Sequence, residues 1–498
     1  MKLFRTFSTA SAFTLLAAPA LADLTAAEVW GDWQGLMANY GAEVTTTGQT
    51  SSGGTLTITG IATEFEVPDG SVSLMIGDVS FEELGDGSVA IRMPETMPIS
   101  FDVTTPEGDG KVGFTLNQPG ASMIASGDAA SLRYDFDYPT FAMGEFTIEG
   151  EDVPDDLPIF IDFALNDMAG YINLSEGDVR SYDTESTIAS MVMDISFADP
   201  EGEEGEGSFK FSVADLAQKA QGAIGKIEMN MSVAEMITAG MRQTGTATHG
   251  TGNYAVEFDG PDGSFKMLAT ATSGSLDAAF DENGISYGGK TNDVAVTVSG
   301  SVIPLPAVNL RMAESGGRFT MPMVPGEDPQ DFALVMRMIG LEIDDLIWGM
   351  FDPGGQLPRD PATLIVDLAG KAILTEDFTN PEYAENMDAE APGTLEEVNI
   401  NALQLTMAGA ELTGDGAFTF DNSIGIPMPA GVANLMLVGG NGLLDKLVGM
   451  GLLPDEQAMG ARMMMGLFAR PGDGPDTLVS TIEVKEDGSV LANGQRIK

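Results

Sequence analysis

The chain has 498 residues, of which 75 are acidic and 23 basic, so its formal charge is −52, and it contains no cysteine. Such a charge repels phosphate backbones and anionic lipid surfaces, which disfavours nucleic-acid binding and electrostatic docking on membranes as functions. Without cysteine, burial rather than disulfides must hold the fold, and 43% hydrophobic residues supply the apolar surface for it. The simplest interpretation of the charge is a solvated surface suited to a saline medium; weak divalent-cation binding is the alternative.

The first segment, Met1 to Ala22, is predicted to be a secretory signal peptide. Lys2 and Arg5 precede a short apolar run, and the small-x-small pattern ending at Ala22 is typical of a cleavage site before Asp23. The apolar run is too short to span a bilayer as a helix. We therefore expect the mature chain to have no transmembrane anchor and to be soluble, either periplasmic or secreted.

Short apolar/polar alternations separated by turn residues dominate the rest of the chain. Between Leu132 and Tyr138 every second residue is aromatic or Leu, and the residues between them include three charges. The same period of two occurs in Tyr254, Val256 and Phe258, in Val294, Val296 and Val298, and in Leu403, Leu405 and Met407. Asp487-Gly488 predicts a hairpin turn within Thr481 to Ala492. The fold class is therefore α+β and predominantly antiparallel β, with meandering curved sheets and a few amphipathic helices.

Five segments favour helices. Thr25-x-x-Glu28 and Ser232-x-x-Glu235 are capping-box patterns that open two of them. A longer helix is predicted from Asp328-Pro329 to before Pro353. Its apolar stripe is Phe332, Val335, Met336, Ile339, Ile343, Leu346 and Ile347. Two more are expected near the end, over Leu443 to Met450 and after Pro454.

The order of these elements suggests two similar halves, each with sheet followed by helices. We predict an N-terminal β-rich half at residues 23–245 and a C-terminal one, with the final hairpin, at residues 250–498. The Thr- and Gly-rich segment Gln243 to Asn253 is the expected joint. The acidic stretch Asp199 to Ser208 is interpreted as a solvated hairpin loop.

Two catalytic patterns coincide at Gly284 to Thr291, which matches both the nucleophile elbow G-x-S-x-G and the phosphate loop G-x-x-x-x-G-K-T. Both chemistries require a helix immediately afterwards, whereas the following residues alternate like a strand. We expect a Gly-rich hairpin here. His249 is the one histidine, so an acid–base triad would have to use it, and zinc catalysis usually requires more than one imidazole. No catalytic residue, metal ligand or cofactor is therefore assigned.

The remaining candidates are apolar side chains on predicted helices: Trp30, Trp33, Trp348, Met463 and Met464. Flexible thioethers and indoles can line a groove for an apolar ligand or partner, and core packing is the alternative. The leading hypothesis is a non-catalytic periplasmic protein of the cell envelope that covers a lipid-like ligand or an envelope protein. The alternatives are an exported carboxylate-dependent hydrolase and a structural or adhesive extracellular protein.

Two segments around Trp348 resemble a known bacterial family. Asp344 to Pro353 and Gln356 to Leu364 are similar to a signature of the domain-of-unknown-function 2125 (DUF2125) family. The helix with Trp30 and Trp33, the run Phe319-Thr320-Met321-Pro322 and the closing hairpin also resemble it, so we expect the resemblance to cover most of the mature chain. The resemblance implies an uncharacterised bacterial protein and no particular activity.

Overall fold

The computed structural model describes residues 23–39, 41–67, 70–105, 108–150, 159–177, 179–199, 205–225, 231–303, 305, 307–380, 383 and 391–498. The predicted signal peptide, Met1 to Ala22, lies outside the described residues. Strand accounts for 64% and helix for 12% of the structure, which confirms a mostly antiparallel β fold with few helices.

The described elements comprise five helices and 27 strands. The helices are α1 (Ala26–Asn39), α2 (Val233–Thr238), α3 (Asp345–Phe351), α4 (Gly440–Gly449) and α5 (Asp455–Phe468). The first strands are β1 (Glu43–Thr45), β2 (Gly48–Ser52), β3 (Thr55–Val67), β4 (Gly70–Glu83), β5 (Val89–Arg92), β6 (Thr96–Thr105), β7 (Gly108–Asn117), β8 (Ser122–Asp128) and β9 (Ser131–Gly150). The next are β10 (Ile159–Ser175), β11 (Arg180–Ala198), β12 (Glu206–Ile224), β13 (Arg242–His249), β14 (Gly252–Gly260), β15 (Gly263–Ala271), β16 (Ser273–Asp281), β17 (Gly284–Ser299) and β18 (Val308–Met321). The last are β19 (Gln330–Ile343), β20 (Ala362–Leu374), β21 (Gly393–Met407), β22 (Ala410–Asp421), β23 (Met428–Val438), β24 (Arg470–Pro471), β25 (Thr477–Val484), β26 (Val490–Ala492) and β27 (Gln495–Arg496).

All these strands belong to one sheet, whose described pairings are antiparallel. The sheet forks twice in the same way. β4 pairs with both β5 and β6, these continue to β8 and β7, and both branches meet again on β9. β12 pairs with both β13 and β14, these continue to β16 and β15, and both branches meet on β17. The six-strand unit β4–β9 is therefore repeated in connectivity by β12–β17.

This repeat has other limits than the two halves predicted from sequence. The expected joint, Gln243 to Asn253, forms β13 and the start of β14, and both strands pair with β12. The sheet is therefore continuous across that segment, and the division into halves stays a prediction.

A line of interruptions crosses the sheet and separates an upper tier, which contains β13 and β16, from a lower tier, which contains β14 and β15. We call this line the crease. Asp167, Asp215 and Asp293 lie on it with φ of 49°, 54° and 51°, and Gly340 has φ 68°. Asp tolerates this left-handed conformation better than most residues. At Asp167 the apolar alternation of β10 changes phase, from Met168 above the crease to Leu165 below it.

The main buried core lies at the N-terminal end of the sheet, under α1. Val29 of α1 and Phe81 of β4 are fully buried there, in one cluster with Ile58, Val79 and Val89. The capping box at Thr25 is confirmed: the Glu28 backbone N–H donates to Thr25 Oγ1 at 3.2 Å, and the Thr25 backbone N–H donates to Glu28 Oε2 at 2.8 Å. This end of the sheet is therefore two layers thick.

The rest of the sheet has much less cover. The accessible surface of the whole chain is 29177 Å². A compact globule of 52.2 kDa would expose about 17,500 Å². Large side chains on the strands are exposed on both faces of the sheet, among them Phe160 at 68% and Tyr287 at 58%.

The helix predicted from Asp328 to before Pro353 is wrong over most of its length. Gln330–Ile343 is strand β19, which pairs with β18 and β20, and helix α3 begins only after Asp344. Because nearly every position from Phe332 to Ile339 is apolar, a helical and an extended period fit equally well, and only the pairing on both sides decides. The other four helices and the hairpin at Asp487-Gly488 agree with the prediction. β11 and β12 pair with each other on either side of the predicted acidic loop, whose residues 200–204 lie outside the described residues.

Candidate apolar binding site

A cavity of about 370 Å³ lies between α1 and the sheet. Trp33 and Leu36 of α1 form one wall of the cavity. The sheet contributes Ile172 and Leu174 from β10 and Tyr182 from β11. The wall from α1 exists because Trp33 and Leu36 lie three residues apart, which places them on the same side of the helix. The lining is predominantly apolar, which suits a nonpolar ligand.

A buried ion pair ties α1 to the sheet beside this cavity. Arg180 of β11 contacts Asp32 of α1, and the two side chains are only 7% and 8% exposed. The Tyr134 hydroxyl donates to Asp32 Oδ2 at 2.6 Å. Burial and this hydrogen bond raise the pKa of Tyr134 far above its ordinary value, so the phenol stays protonated and keeps donating. Asp32 thus has two donors that hold α1 in place over the cavity.

Strand alternation sorts the side chains of the upper tier onto two faces of different chemistry. One row of cross-strand partners runs over the first face from β9 to β26 without any Asp, Glu, Lys or Arg. Its members, in spatial order, are Tyr134, Ile172, Thr184, Ala220, Gly245, Ala278, Tyr287, Phe319, Leu334, Leu368, Ile400, Gly416, Ala433, Ile482 and Ala492. We call this side of the sheet the apolar face.

The opposite side of the sheet, which we call the charged face, carries charged side chains in the next row along the strands. Lys219 Nζ lies 2.8 Å from Glu185 Oε1 between the adjacent strands β12 and β11, and Arg318 Nη1 of β18 lies 2.7 Å from Asp277 Oδ2 of β16, across Gly288 of β17. These pairs are solvent-exposed and contribute little to stability. Their charges favour contact of this face with water. The apolar face is consequently the side on which an apolar ligand can be covered.

The middle of the apolar face, at β17–β19, is exposed to solvent. Tyr287, Phe319 and Leu334 are cross-strand neighbours there and are 58%, 42% and 43% exposed. They line a second concavity of about 510 Å³, together with Leu276 and Tyr254. Because Tyr254 belongs to the lower tier, this concavity spans the crease.

The rings of Tyr138 and Phe141 show the same continuity on β9. Their centroids lie 5.8 Å apart in an edge-to-face arrangement, one on each side of the crease. In the lower tier the apolar face continues through Leu165, Met191 and Val213, which are cross-strand partners. The phase change at the crease therefore keeps the apolar side chains of both tiers on one continuous surface.

The structure places the residues selected from sequence at three separate sites. Trp30 is buried in the core, with its ring 5.9 Å from that of Phe81, and Trp33 packs on the same ring at 5.3 Å while lining the cavity. Trp348 lies on α3. Met463 and Met464 lie on α5 and are 71% and 50% exposed. Of these five, Trp33 lines the cavity beside α1. Sequence reasoning missed the sheet residues of the apolar face, whose signal was the uncharged phase of each strand.

Trp348 belongs to a turn that is held together by carboxylates. Asp344 accepts from the backbone N–H of Leu346 and Ile347 at the start of α3. Asp352, fully buried, accepts from the backbone N–H groups of Gln356 and Leu357, each at 2.8 Å. These hydrogen bonds lower the pKa of Asp352, the bond from Gln356 contributing most. The aspartates of this motif therefore have a structural role in the described contacts.

The elbow and phosphate-loop pattern lies within strand β17 and is followed by more strand, without the helix that either chemistry needs; the hairpin turn precedes it at Glu282-Asn283 rather than lying inside it. Ser286 Oγ is 3.0 Å from Thr320 Oγ1 on the charged face. His249 lies on the opposite, apolar face, where its Nδ1 is 2.8 Å from the Gly250 carbonyl oxygen. The two side chains are therefore separated by the sheet and cannot form a Ser–His pair. Within the described ranges, no group of three or more His, Cys, Asp or Glu residues could hold a metal ion.

Residues 266–496 match the family model described as an uncharacterized protein conserved in bacteria (DUF2125). The C-terminal part of the chain, from within β15 to β27, is therefore similar to this family. This confirms the family inferred from sequence, but the match begins later than expected and leaves out α1 with Trp30 and Trp33. No curated protein and no solved structure matches the chain. In the described part of the chain, no helix is both long and apolar enough to cross a membrane.

Proposed function

We propose that this protein is a non-catalytic binding protein of the bacterial envelope. It is exported by a cleaved signal peptide, works in the periplasm or outside the cell, and uses the apolar face to cover a lipid-like ligand or an apolar partner. The observation that carries the proposal is the continuous row without charged side chains, from Tyr134 to Ala492, on a sheet whose other face is ion-paired. Soluble monomers rarely expose large contiguous apolar patches unless these bind something.

The arrangement at α1 supports the same proposal. A binding site for an apolar molecule needs walls that persist when the site is empty, because ordering them on binding would cost affinity. The Asp32–Arg180 pair and the Tyr134 hydroxyl hold α1 against the sheet without filling the cavity with side chains. Trp33 can then cover one end of a ligand that lies on β10 and β11.

Native mass spectrometry of the protein purified from its bacterial source tests the proposal. We expect a bound apolar molecule, released by organic extraction, and a rise in melting temperature when it is added back. Purification without any bound molecule, together with no binding of apolar probes and no partner in a pull-down, would contradict a binding role. The variant Trp33→Asp places a charge in the wall of the cavity beside α1. It should lose the bound material from that end of the apolar face.

Export is tested separately by mapping the amino terminus of the native protein. We expect the mature chain to begin at Asp23 and to occur in the periplasmic or extracellular fraction. An intact Met1 in the cytosolic fraction would refute the export part of the proposal and leave the binding part standing.

A further inference from the structure

We infer that the apolar face takes a ligand with a linear acyl chain that lies across the strands, and whose polar end is zwitterionic, neutral or cationic rather than anionic. The inference rests on the proposed binding function and specifies the chemical class of the ligand. Three features of the structure carry it: the length of the row, the path between the two concavities, and the charge around them.

The row is far longer than a compact ligand requires. It crosses 15 strands, each paired with the next, from β9 at one end to β26 at the other. Neighbouring strands lie about 4.8 Å apart, so the row extends over about 67 Å measured along the sheet. One acyl chain covers only part of this row. The four strand spacings from Thr184 on β11 to Tyr287 on β17, about 19 Å, are the stretch that an extended chain of about 16 carbons can follow across the strands.

The two concavities both lie on this row, which crosses the three strands β12, β13 and β16 between them. The first reaches Gln243 at the start of β13, and the second begins at His249 at the end of the same strand. Between the cavity beside α1 and Tyr287, the row consists of Ala220, Gly245 and Ala278, which are cross-strand partners. Because these side chains are so small, they leave an unobstructed path that an unbranched chain can follow from one concavity to the other.

Charge determines the polar end of the ligand. The row itself holds no charged side chain, so the part of the ligand on it must be uncharged. The whole chain carries a formal charge of −52, so an anionic head group is repelled while a zwitterionic or cationic one is not.

Lysophosphatidylcholines with 10, 12, 14 and 16 carbons, each below its micellar concentration, are the probes for the test. They are titrated into the purified mature protein by calorimetry, alongside lysophosphatidylglycerols of equal length and a sterol. We expect affinity to rise about fourfold per methylene. We expect the anionic series to bind at least about threefold more weakly at low salt, and this difference to disappear in 1 M NaCl.

A matched pair of variants on β16 locates the binding. Leu276 is 44% exposed on the apolar face, and Ala279 lies on the charged face between Thr244 and Ser286. Leu276→Glu should weaken binding of the 16-carbon probe at least tenfold, whereas Ala279→Glu should change it less than twofold. Both are checked for unchanged melting temperature; if Leu276→Glu unfolds, Leu276→Ser on the same face replaces it.

The outcomes separate this inference from the proposed function. Tight sterol binding with a flat chain-length series overturns the acyl-chain inference and leaves a binding protein. Equal affinity for both head groups at low salt overturns the charge part. No binding of any apolar probe overturns both. A dimer in light scattering that Leu276→Glu dissociates also overturns both, because the apolar face is then buried against a second copy. Comparing uptake from phosphatidylcholine vesicles with uptake of the monomeric probe distinguishes a ligand taken from a membrane from one taken from solution. Failure of both overturns the inference.

Discussion

Removal of the Asp32 carboxylate should destabilise the protein strongly. In Asp32→Ala, Arg180 keeps its charge at 7% exposure but loses its main partner, and the Tyr134 hydroxyl loses its acceptor. Breaking a buried ion pair from one side costs about 3–5 kcal/mol of the free energy of unfolding. Glu176 Oε1 lies 3.4 Å from Arg180 Nε and retains part of the attraction, so we expect about 3 kcal/mol, at the low end of this range.

Two controls make the reasoning specific. Asp331→Ala removes the partner of Lys371 at a site where the carboxylate is 80% exposed, and it should cost about 0–1 kcal/mol. The double variant Asp32→Leu with Arg180→Met replaces the buried pair by apolar side chains and should recover to within about 1 kcal/mol of the parent. The two single changes are therefore expected to be strongly non-additive.

Urea unfolding followed by tryptophan fluorescence measures these differences. Trp30 and Trp33 pack against Phe81 close to the ion pair, so their emission reports on this end of the sheet. A loss below about 1 kcal/mol in Asp32→Ala, or additive effects of the two single changes, would refute the view that this pair is a desolvated attachment of α1.

Four further outcomes follow. Phe81→Ala removes a fully buried ring and should lower the free energy of unfolding by about 3–5 kcal/mol, whereas Phe160→Ala, at 68% exposure, should change it by less than about 0.5 kcal/mol in urea titrations. The folded-state pKa of Asp352 is lowered, chiefly by the N–H of Gln356. Its contribution to the free energy of unfolding is therefore present above the unfolded pKa and is lost as pH falls through the folded pKa. Asp352→Asn should make the melting temperature less dependent on pH in the acid range, and an unchanged pH profile would contradict this. Gly284→Ala should cost about 1–3 kcal/mol, because φ is 101° and a Cβ would lie 2.1 Å from a backbone oxygen; wild-type stability would disprove the strain. Thermal stability should rise from low salt to about seawater ionic strength, because salt screens the repulsion within a chain of charge −52, and a flat melting curve series would speak against it.

The strands and caps were predictable because their signals are local. The alternation from Leu132 to Tyr138 and the capping boxes at Thr25 and Ser232 depend on residues a few positions apart, and each formed as expected. The segment Gln330–Ile343 was not predictable, because its apolar residues satisfy two periods. Pairing with β18 and β20 selects the extended one, and those partners lie elsewhere in the chain.

The candidate site was predictable only in part. Trp33 was selected from its helix, and it does line the cavity beside α1. Trp348, Met463 and Met464 were selected for the same reason, a large apolar side chain on a predicted helix, but they lie on α3 and α5. The crease leaves a weak trace in the sequence, an Asp at the point where an alternation changes phase. This signal can be interpreted only from the strand register, which places Asp167 on β10 and Asp215 on β12, the two strands that flank β11.

The amino-acid sequence by itself determines which residues alternate, where turns and helix caps occur, and how acidic the surface is, because each depends on near neighbours or on composition. Only the tertiary structure decides that the uncharged side chains of 15 strands join into one face and that Asp32 meets Arg180, 148 residues away. Both depend on strand register, and a shift of one residue in any pairing would turn that strand's apolar side chains to the charged face.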